Sequence, residues 1–206
     1  MKRLVRNLIG LGVLAWTFTA SATPVTFDLD GSSSSVEVVN FNSGLICGLV
    51  GCGIDVELNS QLDSLSATLN PGDSWSFAFF DLSFWGLGGG TGTIAATLGF
   101  DTPLGAPVAS GSGSGSFGTL FGALTGGSLS WITQPGTFWL ADGTGYSVVL
   151  EDLFGLTGSS ATVNGTITLI QGPNGSVSVP EPGTMGLLGL ALLGMGLSSR
   201  RKKQAA

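Results

Sequence analysis

The chain has no histidine, and all seven of its Lys and Arg residues lie at positions 2, 3, 6 and 200–203. Residues 7–199 therefore carry no cationic side chain. Several function classes fall away with them. Without His, neither a Ser–His nor a Cys–His nucleophile can be assembled. Without Lys or Arg there is no Schiff base, no Ser–Lys pair and no phosphate clamp. Nucleic acid is excluded as a partner, because neutralising phosphates needs cations. No period of 20–50 residues recurs, which excludes a solenoid.

Acids are left unopposed. Residues 23–179 hold twelve Asp and Glu, so this body carries a charge of about −12 at neutral pH. Each carboxylate must be hydrated, hydrogen-bonded to neutral donors, or bound to a metal. The first outcome serves solubility. Carboxylate pairs are the only acid–base option, and Asp28/Asp30, Asp55/Glu57 and Glu151/Asp152 are the near pairs. Members of an i, i+2 pair share a strand face. No sugar-hydrolase framework accompanies them, so the expectation is solvated surface acids and no enzyme. No cofactor is expected. A structural Ca²⁺ stays open, because Asp28-Leu29-Asp30-Gly31 offers suitable oxygens. That stretch lacks the remaining EF-hand positions and the Glu at position 12.

The N-terminus reads as an export signal. Lys2, Arg3 and Arg6 form a basic start, an apolar stretch follows over 8–18, and Ala20-Ser21-Ala22 is an A-x-A site. Residues 1–22 are thus expected to be a signal peptide, cut by signal peptidase after Ala22. Export permits a disulfide between the only two cysteines, Cys47 and Cys52. A bridge at this spacing closes a small loop, worth about 2 kcal/mol on loop entropy. Two buried thiols or a metal pair are the alternatives. The metal pair is the weaker of these, with no His and no second cysteine pair.

Gly contributes 35 of 206 residues, which disfavours helix and marks turns. Period-two alternation is the dominant pattern in the body. Candidate strands cover 24–30, 35–41, 54–58, 62–69, 74–84, 93–100, 128–132, 137–140, 145–151 and 161–170. In 74–84, Trp75, Phe77 and Phe79 share one phase and Phe80, Leu82 and Phe84 the other. That shift predicts a β-bulge or a strand passing between two sheets. "NPGDS" at 70–74, "QPG" at 134–136 and "ADGTG" at 141–145 are turn formers. "SGSGSGS" at 110–116 reads as a loop within one domain. The expected fold is all-β: a single sandwich or jelly-roll-like domain of about ten short strands over 23–171. A Gly/Ser/Asn/Pro tether over 172–179 follows.

The tail is the most specific segment. Pro180 and Pro182 fix the backbone on either side of Glu181. Residues 183–199 are apolar and would span about 25 Å as a helix, short for a bilayer core of about 30 Å. Arg200, Arg201, Lys202 and Lys203 form a basic stop that stays cytoplasmic. "VPEPGTMGLLGLALLGMGLSSRRKK" resembles the PEP-CTERM sorting signal of Gram-negative bacteria. The same tail also goes by the name of an ice-binding protein C-terminal domain, a label that says nothing of residues 23–179. The resemblance implies that 180–203 is a sorting signal with a membrane helix at 183–199. It makes Pro180, Glu181 and Pro182 the residues recognised by an exosortase, a membrane-embedded transpeptidase-like enzyme. It also implies an inner-membrane precursor, then delivery to the cell surface or extracellular matrix, with a link to exopolysaccharide and biofilm.

Three functions for the body then stand in order. The first is a non-catalytic surface or matrix protein. The second is a carbohydrate-binding or adhesive module, with Trp85 and Trp139 as ligand candidates because both fall off the expected core face. The third is ice binding, from the Thr-x-Thr pairs Thr91/Thr93 and Thr166/Thr168. Outward Thr is favoured in strands in any case.

Overall fold

The computed structural model describes residues 23–175. Period-two alternation becomes two antiparallel sheets. One contains β1 (Val25–Ser43), β3 (Ser66–Leu69), β5 (Gly88–Thr102), β6 (Ala109–Leu120), β7 (Ala123–Thr133) and β10 (Leu153–Phe154). Their order is β10-β7-β6-β5-β1-β3. The other contains β2 (Cys52–Leu58), β4 (Ser74–Gly86), β8 (Gly136–Trp139), β9 (Gly145–Leu150) and β11 (Ser160–Gln171). Their order is β2-β4-β11-β9-β8. The fold is all-β and sandwich-like, and its strands are longer than expected: β1 runs 19 residues, β5 15 and β4 13. A short helix, α1 (Leu45–Val50), links β1 to β2.

Inward-facing side chains of both sheets make one core. Phe27, Leu29, Ile94, Leu98 and Leu129 from the first sheet meet Phe79, Phe80, Tyr146, Val163 and Ile167 from the second. At its centre the Tyr146 ring packs edge-on to Phe27 at 5.2 Å and stacks on Phe138 at 5.3 Å. Burial pushes its phenol up to about 12.

The phase shift in β4 is a bulge. Val163 of β11 pairs with Phe80 and the next residue, Asn164, pairs with Ala78, leaving Phe79 as the extra residue. Phe77, Phe79, Phe80, Leu82 and Phe84 all become buried as a result. The gap between segments 24–30 and 35–41 is an excursion inside a single strand. Register jumps from Asp30↔Gly99 to Ser35↔Thr97. The Ser34 hydroxyl holds the excursion, donating to the Asp30 carbonyl at 2.6 Å and accepting from the Gly99 amide at 2.9 Å.

One expectation is overturned. Residues 110–116 are not a loop but part of β6, paired with β5 throughout and with β7 from Ser112 on. Gly111 and Gly113 face inward and Ser110, Ser114 and Ser116 face out. The alternation was present, but its inward member has no side chain and so carried no hydropathy signal. Neighbours fill the space instead: a Cβ on Gly111 would meet Leu150 at 3.1 Å, and one on Gly113 would meet Leu129 at 3.1 Å and Trp131 at 3.2 Å. Likewise, 62–69 divides into a 3₁₀ turn at Leu62–Ser64 and β3.

The two ends of the sandwich differ. Val25 pairs with Leu69, and the Gly72 amide bonds the Leu169 carbonyl, so the start of β1 and the finish of β11 lie at one end. At that end Pro173–Gly175 turns against the β8–β9 hairpin, with the Asn174 amide on the Asp142 carbonyl at 2.8 Å. The tether therefore begins packed rather than free over these residues. The opposite end carries α1. There the Cys47–Cys52 disulfide is formed, fastening the helix to the first residue of β2. No helix among the described residues is long and apolar enough to cross a membrane, and residues 183–199 lie outside them.

Gly165 sits directly across from Phe77, whose ring covers it; an added Cβ would lie 2.7 Å from Phe77 Cζ. Gly165→Ala is expected to destabilise the fold by about 1–3 kcal/mol through overpacking. Gly126→Ala, where nothing lies within 4 Å, is expected to change stability by no more than about 0.5 kcal/mol. Denaturant midpoints of the two variants check the contrast.

Candidate functional site

The outer face of the six-stranded sheet holds a groove of about 510 Å³. Cross-strand register builds it from two polar rows. Asn42, Thr91, Ser116 and Ser128 stand opposite one another across β1, β5, β6 and β7. Asn40, Thr93, Ser114 and Ser130 form the adjacent row. Each residue lies two positions from its counterpart, so all eight point to the same side. No charged side chain lines the groove. The inner side of the same strands carries Gly92 and Gly115, with Phe84, Phe117 and Leu129 beneath.

These eight side chains make no hydrogen bond to another side chain among the described residues. The outer face of the five-stranded sheet is different. There Ser74 bonds Thr168 at 2.8 Å, Ser76 bonds Thr166 at 2.7 Å, and Thr162 donates to Asp81 at 2.5 Å. These three cross-strand pairs are satisfied, while Ser83, Thr137 and Ser147 on the same face make no such bond among the described residues. Sequence reading missed this site, because it exists only after four strands are placed in register. The Thr pairs are separated as well: Thr91/Thr93 lie in the groove, Thr166/Thr168 on the opposite outer face.

Trp85 and Trp139 are exposed, at 48% and 59%. Each lies over the glycine directly opposite it, Gly53 and Gly145 respectively. They do not converge. Trp85 lies beyond the Ser83–Ser160 end of the β4–β11 ladder, while Gly145, the partner of Trp139, pairs with Gln171 past the other end. Part of each ring's exposure is thus explained by a structural task, covering a bare backbone position.

Seven of the twelve carboxylates accept hydrogen bonds from neutral donors. Asp30 Oδ1 accepts from the Ser32 amide and hydroxyl and from the Ser33 amide. Asp63 accepts from the Gly31 amide, Asp142 from the Thr144 amide and Asp152 from the Trp131 amide, at 2.8–2.9 Å. Asp73 takes both the amide and the side chain of Asn70. Glu151 takes Asn164 Nδ2 at 2.7 Å. Asp55 and Glu57 stand on β2 opposite Ser83 and Asp81. No three Cys, Asp or Glu side chains among the described residues gather closely enough to hold a metal ion.

These bonds shift the acids. Hydroxyl donation from Ser32, then Ser33, with both backbone amides, holds Asp30 down to about 2. The Asn70 backbone amide, then its side chain, lowers Asp73, and the Thr144 amide lowers Asp142. Asp101 moves the other way, raised by desolvation and then by the charges of Asp30, Asp28 and Asp63.

The remaining candidates, Ala20, Ala22, Pro180, Glu181, Pro182 and the basic stop at 200–203, lie outside the described residues. Their order in the sequence is what decides the tail: Pro-Glu-Pro, an apolar run, then four cations. Residues 178–202 match the family model of the PEP-CTERM protein-sorting motif. This chain carries a PEP-CTERM signal. The PEP-CTERM motif implies an exported protein with an exosortase as its processing partner, sorted at the membrane of a Gram-negative bacterium. No curated protein and no solved structure matches the chain.

A folded-state pKa below the unfolded value stabilises the fold above the ordinary carboxylate range and is lost as pH falls through it. For Asp30 that window runs from 3.8 down to about 2. Asp30→Asn keeps an acceptor oxygen but cannot titrate. Thermal melts at pH 4 and pH 2 are expected to show a smaller loss of Tm for the variant than for the wild type. Equal losses contradict the assignment.

Proposed function

We propose that this PEP-CTERM protein is a non-catalytic component of the cell surface or extracellular matrix, delivered by exosortase sorting and associated with exopolysaccharide. Signal peptidase removes residues 1–22, and processing near Pro180-Glu181-Pro182 separates the body from its basic end. The released body then carries no cationic side chain.

The observation that carries the non-catalytic reading is the state of the acids. Acid–base chemistry at a sugar needs two carboxylates flanking one reacting bond. Here Asp30, Asp63, Asp73, Asp81, Asp142, Glu151 and Asp152 each accept from neutral donors. All seven are engaged within turns or with neighbouring strands, Asp152 tying β7 to the segment after β9, and none lines the groove. Such bonding is what a cation-free body requires to keep its charges without ion pairs. It supports a scaffold whose acids hold turns and strand ends and give the surface its hydration.

Replacing Pro180, Glu181 and Pro182 together by Ala is expected to leave the protein in the inner membrane. Cell fractionation with immunodetection reads the outcome, and unchanged appearance at the surface or in the medium would refute exosortase sorting of this chain.

A further inference from the structure

We propose that the groove on the outer face of the six-stranded sheet binds an uncharged glycan chain. The rows Asn42-Thr91-Ser116-Ser128 and Asn40-Thr93-Ser114-Ser130 supply the contacts. Ser and Thr hydroxyls donate once and accept twice, and the Asn amide donates twice and accepts twice. A polyhydroxylated chain has the same mixed chemistry on every ring and can answer such a surface at many points. The two rows lie about 7 Å apart along the strands, and each spans three strand spacings, about 14 Å. That footprint suits an extended chain lying across the strands, not a single small ion.

Other ligand classes fit less well. The groove presents no apolar side chain, so it offers nothing to a lipid chain or an apolar peptide segment. It holds no carboxylate, so it does not attract a cation. A carboxylated or sulfated glycan would meet a body without one cationic side chain and about twelve negative charges. A planar ice surface is matched by a repeated array of Thr-x-Thr pairs, and the groove holds one such pair, Thr91/Thr93.

The groove is singled out by eight adjacent polar side chains, none bonded to another side chain among the described residues. On the five-stranded sheet the Ser74–Thr168, Ser76–Thr166 and Thr162–Asp81 contacts break up the polar face, and on the groove's own sheet Thr97 and Ser110 bond each other at 3.4 Å. The eight groove side chains keep their full capacity for a ligand. The groove's floor is also central: Thr93 and Ser114 are directly paired, on strands bonded on both sides.

This inference deepens the reading of the protein as a surface component, and its test does not depend on sorting. The full chain, purified in a detergent without a sugar headgroup, is titrated calorimetrically with neutral gluco-, manno- and galacto-hexasaccharides and with an oligogalacturonate. Binding of at least one neutral hexasaccharide, and weaker or no binding of the galacturonate, is expected. Thr93→Val with Ser114→Val should weaken that binding by about ten-fold, as loss of two hydrogen bonds implies, with the melting temperature kept. Thr166→Val, on the opposite face, should bind as wild type does. Replacing Pro180, Glu181 and Pro182 by Ala should also leave binding intact, so failed delivery and failed binding are read separately. No neutral glycan bound by the folded protein overturns the proposal. So does stronger binding of the galacturonate, binding untouched by the groove variant, or ice-crystal shaping in place of glycan binding.

Discussion

The structure depends on glycine and aromatic residues meeting directly across the strand ladders. Gly53 faces Trp85, Gly145 faces Trp139, Gly165 faces Phe77, Gly113 faces Trp131, Gly90 faces Phe117 and Gly92 faces Phe41. A glycine inside a strand costs conformational entropy and leaves backbone bare. A ring laid over the gap restores buried area and closes the backbone off from water. The same pairing sets limits on both partners. At Gly53, Gly145 and Gly165 a side chain would collide with the facing ring, and a smaller residue at those aromatic positions would leave the glycine uncovered. This is how a chain so rich in glycine builds long strands instead of the short ones its composition suggests.

The second constraint is electrostatic. With no cation in 7–199, the body has no ion pair to offer any carboxylate. It uses Asx-type turns at Asp30, Asp73 and Asp142, cross-strand hydroxyls at Asp81 and backbone amides at Asp63 and Asp152. Charge-assisted hydrogen bonds of this kind are stronger than neutral ones. They sit at turns and strand ends, where they fix the entry angles of the strands. Asp101 is pushed up by desolvation and then by the charges of Asp30, Asp28 and Asp63. The groove is the opposite case, a patch of polar side chains kept free of charge within an acidic surface.

Much of the fold was legible in local pattern. The candidate strands at 93–100 and 161–170 lie within β5 and β11. The phase break at Phe79-Phe80 became a bulge, because inversion of a period-two pattern has few other structural solutions. Asp142-Gly143 turned the β8–β9 hairpin, with Gly143 at φ 87°. What failed was any segment whose inward residues were glycines. Strand β6 was invisible to hydropathy because Gly111 and Gly113 contribute space, not area. The six residues of α1 were equally silent, being too short to show a helical period.

The sequence by itself determined the address, the charge and the fold class. A PEP-CTERM tail is linear: its tripeptide, apolar run and basic end act in sequence order and need no tertiary partner. The confinement of seven cations to the two termini is likewise complete before folding. Tertiary structure alone decided where function can reside in the body. Asn40, Thr93, Ser114 and Ser130 are scattered over ninety positions, and only the register of four strands makes them neighbours. The registers of the five-stranded sheet sent Trp85 and Trp139 to its opposite ends. Strand pairing is a non-local interaction, set by which inner faces bury one another, and no local pattern carries that information.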